Sequence, residues 1–127
     1  MAKASYVWSG SEWIAVASAI PQTQQREISS STSTSYTLGA TDTGKALILT
    51  NSGATTLTIP AESTYNFAVG QTFLIVQNGT GAITVAAAAG VTLNSKSSYV
   101  KTSGQFAEAR LLKTASNTWL LSGDLTS

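Results

Sequence analysis

The sequence predicts an all-β protein, an antiparallel β-sandwich of the jelly-roll type with an N-terminal β-hairpin arm. From Tyr36 onwards, short β-prone segments recur at the spacing of roughly 8–12 residues that is typical of sandwiches and barrels. Only 10% of the residues are charged, whereas globular proteins have roughly 25%. Ser and Thr take up much of the difference, and because Thr favours strands and Ser favours turns, this composition indicates the surface of a β-protein.

The composition excludes several classes of function. A chain of 127 residues, 43% of them hydrophobic, suits one domain with a real core. The net charge of +1 gives no electrostatic basis for binding nucleic acid or an anionic membrane. The chain has no cysteine and no histidine, which removes disulfides, thiolate nucleophiles and the commonest general base and metal ligand. No apolar run is long enough for a signal peptide or a membrane span, so we expect folding in a cytoplasm.

Residues 1–20 are predicted to form a small hairpin that acts as an attachment arm. Two β-prone segments, each with a tryptophan, are separated by a turn that contains Ser and Gly. An isolated two-stranded hairpin is marginal in water, so its rings must pack either on the domain of the same chain or on a partner. Aromatic residues anchor interfaces, and on the second interpretation the residues that contact the partner are Tyr6, Trp8, Trp13 and Ile14.

Residues 21–35 are predicted to be an extended linker, and residues 36–127 the β-sandwich domain. The linker begins at Pro21, continues with Gln and Thr residues and ends in a Ser/Thr tract after Ile28. Such a composition is typical of extended connections between folded parts. The alternative is that this stretch crosses to a neighbouring subunit.

The domain is predicted to contain eight or nine short strands and almost no helix. In the segment Thr55–Ile59, the apolar residues Leu57 and Ile59 are expected to point inward and the threonines outward, and Pro60 ends the strand. The other strands are predicted within Tyr36–Leu38, Lys45–Thr50, Phe73–Val76, Ala82–Val85, Val91–Leu93, Asn94–Tyr99, Phe106–Thr114 and Thr118–Leu121, the last two as a terminal hairpin.

The stretch from Gly70 to Leu93 is predicted to be a β-meander around which the chain is organised. Phe73–Val76 is an unbroken apolar run, which indicates a strand covered on both faces, either in the middle of a sandwich or under a partner chain. Asn78–Gly81 follows, and because Asn and Gly tolerate positive φ, it predicts a hairpin turn to the strand Ala82–Val85. A surface with so few charges is poorly protected against self-association, which favours an oligomer.

No residue pattern predicts catalysis, a cofactor or a metal site. The carboxylates fall in turns or among polar neighbours and are expected to be solvated, and a Ser nucleophile without histidine has only lysine as a base. The lysines expected at strand edges or on the surface are Lys45, Lys96, Lys101 and Lys113. Trp119 is expected in the core. Tyr65 and Tyr99 lie near loops and are candidates for contacting a ligand such as a sugar, the alternative being that they are ordinary half-buried residues.

Seven short motifs follow one another along residues 36–125: Tyr36-Thr37-Leu38, Asp42-Thr43-Gly44-Lys45, Thr58-Ile59-Pro60, Phe67-Ala68-Val69-Gly70-Gln71, Gln77-Asn78-Gly79-Thr80-Gly81, Gly90-Val91-Thr92-Leu93 and Trp119-Leu120-Leu121-Ser122-Gly123-Asp124-Leu125. Their order and spacing resemble a β-domain that recurs in virion proteins of tailed bacteriophages, among them tail fibres, tailspike appendages and head-decoration or head-fibre proteins. The leading tryptophan hairpin also resembles short attachment segments of phage proteins.

The resemblance implies a β-sandwich that forms a homotrimer, has no enzymatic activity and is anchored at one end on the virion. It transfers no catalytic, cofactor or metal-binding role to any residue. The chain is shorter than most fibres, which favours a capsid decoration (cement) protein that binds the major capsid protein or another virion protein. The alternative is a tail- or head-fibre module that binds a host receptor or carbohydrate. Either protein is expected in the virion, in the capsid or the tail, after synthesis in the host cytoplasm.

Overall fold

The computed structural model describes residues 6–8, 13–15 and 26–127, the first two segments by their backbone alone. The prediction of an all-β protein is confirmed, since the regular structure of these residues is strands and short 3₁₀ turns, at Ala40–Asp42 and Lys96–Ser98. The strands are β1 (Tyr6–Trp8), β2 (Trp13–Ala15), β3 (Glu27–Ser31), β4 (Ser35–Thr37), β5 (Lys45–Leu49), β6 (Thr55–Ile59), β7 (Thr72–Gln77), β8 (Ile83–Ala87), β9 (Thr92–Ser95), β10 (Lys101–Thr102), β11 (Glu108–Ala115), β12 (Thr118–Gly123) and β13 (Leu125–Thr126).

The strands from β3 onwards form two sheets. The six-stranded sheet has the order β3-β5-β7-β11-β12-β9, and the five-stranded sheet has the order β13-β10-β8-β6-β4. From β3 to β8 the chain passes from one sheet to the other at every step, and each new strand lies in parallel beside the previous strand of its own sheet. This half of the chain therefore makes three stacked turns with the connectivity of a parallel β-helix.

The predicted antiparallel arrangement is wrong for this half of the chain, and both sheets are mixed. The C-terminal pairs β7–β11, β11–β12, β8–β10 and β10–β13 are antiparallel, whereas β9 joins β12 in parallel. Parallel neighbours need a crossover of about a dozen residues or more, and here the crossover is a strand of the other sheet. Inward and outward residues alternate with a period of two in parallel and in antiparallel strands, so the sequence pattern does not distinguish the two arrangements.

The stretch Gly70–Leu93 is likewise not a meander. β7 and β9 belong to the six-stranded sheet, whereas β8 belongs to the five-stranded sheet, so Asn78–Gly81 is a corner between sheets and not a hairpin turn. Neither Gly79 nor Gly81 has a positive φ. The corner stacks on the preceding one, because the backbone N of Gly81 donates a hydrogen bond of 3.1 Å to the carbonyl of Asn51.

The first strand of the six-stranded sheet lies inside the predicted linker. β3 pairs with β5 over all five of its residues, and Nδ2 of Asn51 donates a hydrogen bond of 2.6 Å to the carbonyl of Thr32. The Ser/Thr composition that predicts a linker also suits a strand at the edge of a sheet, where the side chains meet solvent. Residues 21–25 of the predicted linker lie outside the described residues.

The inward-facing residues of the two sheets share one hydrophobic cluster. Leu57 and Ile59 are buried there, as predicted from their alternation with threonine. Trp119 is also buried, as expected, and the ring of Phe67 packs edge-on against both Trp119 and Phe73, with centroids 5.8 and 5.0 Å apart. The predicted terminal hairpin is confirmed as the antiparallel pair β11–β12.

Candidate interaction surfaces

Lys113 is buried, contrary to the expectation of a surface lysine. It points into the core side of β11 and is 2% exposed. Its Nζ lies 2.7 Å from Oε2 of Glu62 and donates hydrogen bonds to Oδ1 of Asn66 at 2.8 Å and to the backbone carbonyl of Phe67 at 2.6 Å. Each of the three donors of the ammonium group therefore has an acceptor, as a buried charge requires.

Glu62 is not the solvated carboxylate that the sequence suggests. Besides Lys113, its carboxylate accepts hydrogen bonds from the backbone N of Asn117 at 2.8 Å and from the hydroxyl of Ser116 at 3.0 Å. These contacts, that of Lys113 foremost, lower the pKa of Glu62 to about 2. The Glu62–Lys113 pair joins the connection between β6 and β7 to the hairpin β11–β12. All three donors of Lys113 are engaged, so its ammonium group has no free donor or lone pair with which to act as an acid or a base.

We expect the Glu62–Lys113 pair to make stability sensitive to acid. A carboxyl whose folded pKa lies below its ordinary value of 4.5 stabilises the folded state above that pH, and the contribution is lost as pH falls towards about 2. Urea unfolding between pH 7 and pH 2 should therefore show a smaller loss in Glu62→Gln than in the wild type, starting from a lower stability at pH 7. The variant Glu27→Gln, at an exposed carboxylate, serves as the control, and equal losses in Glu62→Gln and the wild type would contradict the assignment.

Asp42 is a carboxylate that the structure buries. It accepts hydrogen bonds from the hydroxyl of Tyr36 at 2.5 Å, from the backbone N of Gly39 at 2.9 Å and from the hydroxyl of Ser29 at 3.3 Å. Burial, together with the hydrogen bond to Asp42, raises the pKa of the Tyr36 phenol. The hydrogen bonds of Asp42 join β3, β4 and the 3₁₀ turn that precedes β5, so they hold the first turn of the parallel winding together.

The two candidate ligand tyrosines are half-exposed and line no common groove. Tyr65 packs edge-on against Phe67, with ring centroids 4.6 Å apart. Tyr99 follows the 3₁₀ turn Lys96–Ser98 and lines a groove of about 380 Å³ beside β12, together with Lys96, Leu120 and Leu125. Of the two, Tyr99 therefore has the better geometry for stacking on a ligand.

The predicted arm residues Tyr6, Trp8, Trp13 and Ile14 are described by their backbone alone. β1 and β2 form the antiparallel pair that the sequence predicts, with Trp8 opposite Trp13 and Ile14 opposite Val7. Their side chains and the turn at residues 9–12 lie outside the described residues, so what the arm contacts stays a prediction.

The outer face of the six-stranded sheet has an apolar patch that polar residues border. The strand registers place its outward side chains in neighbouring rows, one with Leu74 beside Arg110 and the next with Val76 beside Glu108. We define the apolar face as the aliphatic outward residues Ile28, Ala46, Ile48, Leu74, Val76, Leu112 and Leu120 with the two charged residues Glu108 and Arg110. The same registers also turn polar residues outward, and these border the apolar face: Ser30, Thr72, Thr92, Asn94, Thr118 and Ser122. Ile28 and Leu120 are 61% and 40% exposed, which is unusual for large aliphatic residues on a sheet.

The outer face of the five-stranded sheet has no such aliphatic patch among its paired residues. Its outward residues, which we define as the threonine face, are Ser35, Thr37, Thr56, Thr58, Thr84, Ala86, Lys101 and Thr126. Threonine keeps the strand propensity of valine but presents a hydroxyl to water. Both faces belong to one chain with few charged residues. The overall composition therefore does not explain why aliphatic side chains gather on one face and hydroxyl groups on the other.

The sequence anticipates the apolar face only in part. Phe73 and Ile75 are fully buried, as the run Phe73–Val76 predicts, whereas Leu74 and Val76 are half-buried on the apolar face. The same signal of consecutive apolar residues occurs in β5, where it marks Ala46 and Ile48, and in β11, where it marks Leu112 but not Glu108 or Arg110. The sequence of a single strand does not determine the register that sets these residues side by side.

Two absences concern only the part of the chain that the structure describes. No group of three or more acidic residues lies in a position to hold a metal ion there, and no helix there is long and apolar enough to cross a membrane. No family model matches this chain, and neither does any curated protein.

Proposed function

We propose that this chain is a structural protein of a phage virion, a homotrimeric capsid decoration (cement) protein that stabilises the head shell. The observation that carries the proposal is the apolar face, which gives the chain a surface for packing within a protein assembly, further copies of this chain included. Burying apolar area across the boundaries between capsid subunits stabilises a shell. The resemblance of residues 36–125 to phage virion domains supports the same function, and the proposal includes no catalytic activity or cofactor.

The proposed domain architecture is a β-sandwich attached through the N-terminal arm. Two features support the two sheets as layers of a sandwich: they share one hydrophobic cluster, and the buried hydroxyl of Thr102 in β10 donates a hydrogen bond of 2.5 Å to Oε1 of Gln77 in β7. A jelly roll consists of antiparallel neighbours, so the parallel pairs from β3 to β8 do not support that finer assignment.

Binding to phage heads that lack this protein tests the proposed function. We expect the wild type to sediment with the heads in a saturable manner and to raise the temperature at which they release DNA. The double variant Trp8→Ala/Trp13→Ala, or deletion of residues 1–20, should reduce head binding at least about tenfold, because aromatic anchors carry much of an interface's energy. The control is Tyr65→Ala. Absence of wild-type binding would contradict the proposed function, and undiminished binding of the arm variant would contradict the role of the arm.

A fibre module that binds carbohydrate is the second candidate, and the groove at Tyr99 favours it. Lys96, Ser97 and Ser122 line this groove with polar groups beside the tyrosine ring and Leu120, an arrangement in which a sugar stacks and accepts hydrogen bonds. Titration of oligosaccharides into the wild type and Tyr99→Ala separates the candidates. Saturable binding that is lost in Tyr99→Ala would favour the fibre module, and no binding at millimolar sugar would count against it.

A further inference from the structure

We propose that the apolar face is the surface through which copies of this chain associate, with Arg110 of one copy beside Glu108 of its neighbour. This inference rests on the proposed homotrimeric assembly and deepens it, since it names the surface and the charged pair.

The outer face of the six-stranded sheet, which consists of the apolar face and its polar border, is large enough for a specific interface. Six strands about 4.8 Å apart, with about five residues of each at about 3.4 Å, cover roughly 500 Å². Two copies in face-to-face contact, which is a two-fold arrangement, bury roughly 1,000 Å² in total, which reaches the lower limit for specific protein–protein interfaces. In a trimer, each copy would divide this outer face between its two neighbours. A shallow depression of about 230 Å³ lies on this face, lined by Leu74, Glu108, Arg110 and Ser122, and it offers room for a side chain of a second copy.

The charges of the apolar face complement themselves. Glu108 and Arg110 are exposed two residues apart on β11, so both point outward, about 7 Å from each other along the strand. Within the described residues, neither side chain has an ion pair or a hydrogen bond. A face with one charge of each sign presents to a second copy the partner that each charge needs, whether across a two-fold axis or between neighbours in a trimer.

A second copy fits the face better than a highly charged partner does. A strongly acidic or basic partner would bring one of the two residues against a like charge, which is costly at an interface. Beside these two charges the face has aliphatic residues on β5 and β7, and polar residues border it, which matches the apolar core and polar rim of protein interfaces. On the threonine face, by contrast, hydroxyl groups take the equivalent positions, so that face is suited to water.

The mass of the full chain in solution tests the inference. Light scattering over a wide range of concentrations should give a multiple of the single-chain mass for the wild type. Leu74→Lys, at the centre of the apolar face, should give the mass of one chain. Thr84→Lys, at the corresponding central strand of the threonine face, is the matched control and should keep the wild-type mass. Circular dichroism and cooperative unfolding of all three proteins exclude misfolding as the cause.

A charge exchange distinguishes self-association from binding to another partner. Arg110→Glu places two like charges on each face and should weaken association at least about tenfold. The double variant Glu108→Arg/Arg110→Glu restores one charge of each sign and should return the affinity to within about threefold of the wild type. If the double variant stays as weak as Arg110→Glu, reciprocal pairing is wrong.

The outcomes separate this inference from the proposed function. A wild type that remains a single chain at all concentrations overturns the inference, even if that single chain binds phage heads. A stable trimer that dissociates in Leu74→Lys but not in Thr84→Lys supports it, even if the protein fails to bind heads. A dimer with the same response also supports the inference and counts against the homotrimer of the proposed function.

Discussion

Gly81→Ala should destabilise the protein by about 3 kcal/mol or more, because the added methyl group has no space. A Cβ at Gly81 would overlap the carbonyl oxygen of Gly53, which belongs to the corner of the preceding turn of the winding. The obstacle is backbone on both sides, so no side-chain rotation relieves it. Overpacking of this kind costs about 1–3 kcal/mol where side chains adjust, and here two stacked corners must move apart.

Gly79→Ala should have an effect in the same direction. Its Cβ would overlap the carbonyl oxygens of Thr50 and Asn51, and the backbone N of Gly79 donates a hydrogen bond of 3.2 Å to the carbonyl of Leu49. Separating the corners lengthens this bond as well. Both glycines are therefore required for close approach of two backbones, and not for a left-handed conformation.

Urea unfolding of three variants measures the effect. Gly81→Ala and Gly79→Ala should lower the midpoint strongly at unchanged slope. Gly104→Ala is the matched control, since a Cβ there meets nothing within 4 Å and the residue has no positive φ. A midpoint for Gly81→Ala equal to that of Gly104→Ala would mean that the two corners are not stacked as described.

The glycines illustrate which part of the fold the sequence can predict. The Asn78–Gly81 segment is correctly predicted as a change of chain direction, but residue type alone does not separate a hairpin turn from a corner between sheets. A type I′ hairpin turn uses glycine for positive φ, whereas here the requirement comes from the corner Thr50–Gly53, nearly thirty residues earlier in the chain. Strand positions and inward faces follow from local alternation, but the parallel winding depends on pairings between distant segments.

In the candidate surfaces, too, the local sequence predicts one part and the pairing of distant strands determines the rest. Consecutive apolar residues in β7 indicate a strand covered on both faces, and this part of the apolar face is predictable. The pairing of Glu108 with the row of Val76, and of Arg110 with that of Leu74, depends on the register of β7 and β11. The sequence does not predict the burial of Lys113 for a related reason, because its acceptors Glu62 and Asn66 lie about fifty residues away in the sequence.

Phe73→Ala and Leu74→Ala should have very different effects although the two residues are neighbours on β7. Phe73 is fully buried and its ring packs against Phe67 and Trp119, at centroid distances of 5.0 and 5.9 Å. Truncation of a buried aromatic ring leaves a cavity and costs about 3–5 kcal/mol. We therefore expect Phe73→Ala to lower the free energy of unfolding by about 4 kcal/mol, whatever the protein concentration.

Leu74→Ala removes a side chain of the apolar face, so its cost depends on whether the face is covered. In a separate chain, Leu74 is only half-buried, and we expect a loss of about 1 kcal/mol. In an assembly that covers the face, the same truncation also weakens association, and the loss appears as a midpoint that falls when the protein is diluted. The unfolding midpoints of both variants, measured at two protein concentrations a hundredfold apart, therefore show whether another chain covers the outer face of β7. A loss of about 1 kcal/mol at both concentrations would mean that only the inner face of this strand is covered by protein, because Leu74 would then contact only water outside its own chain.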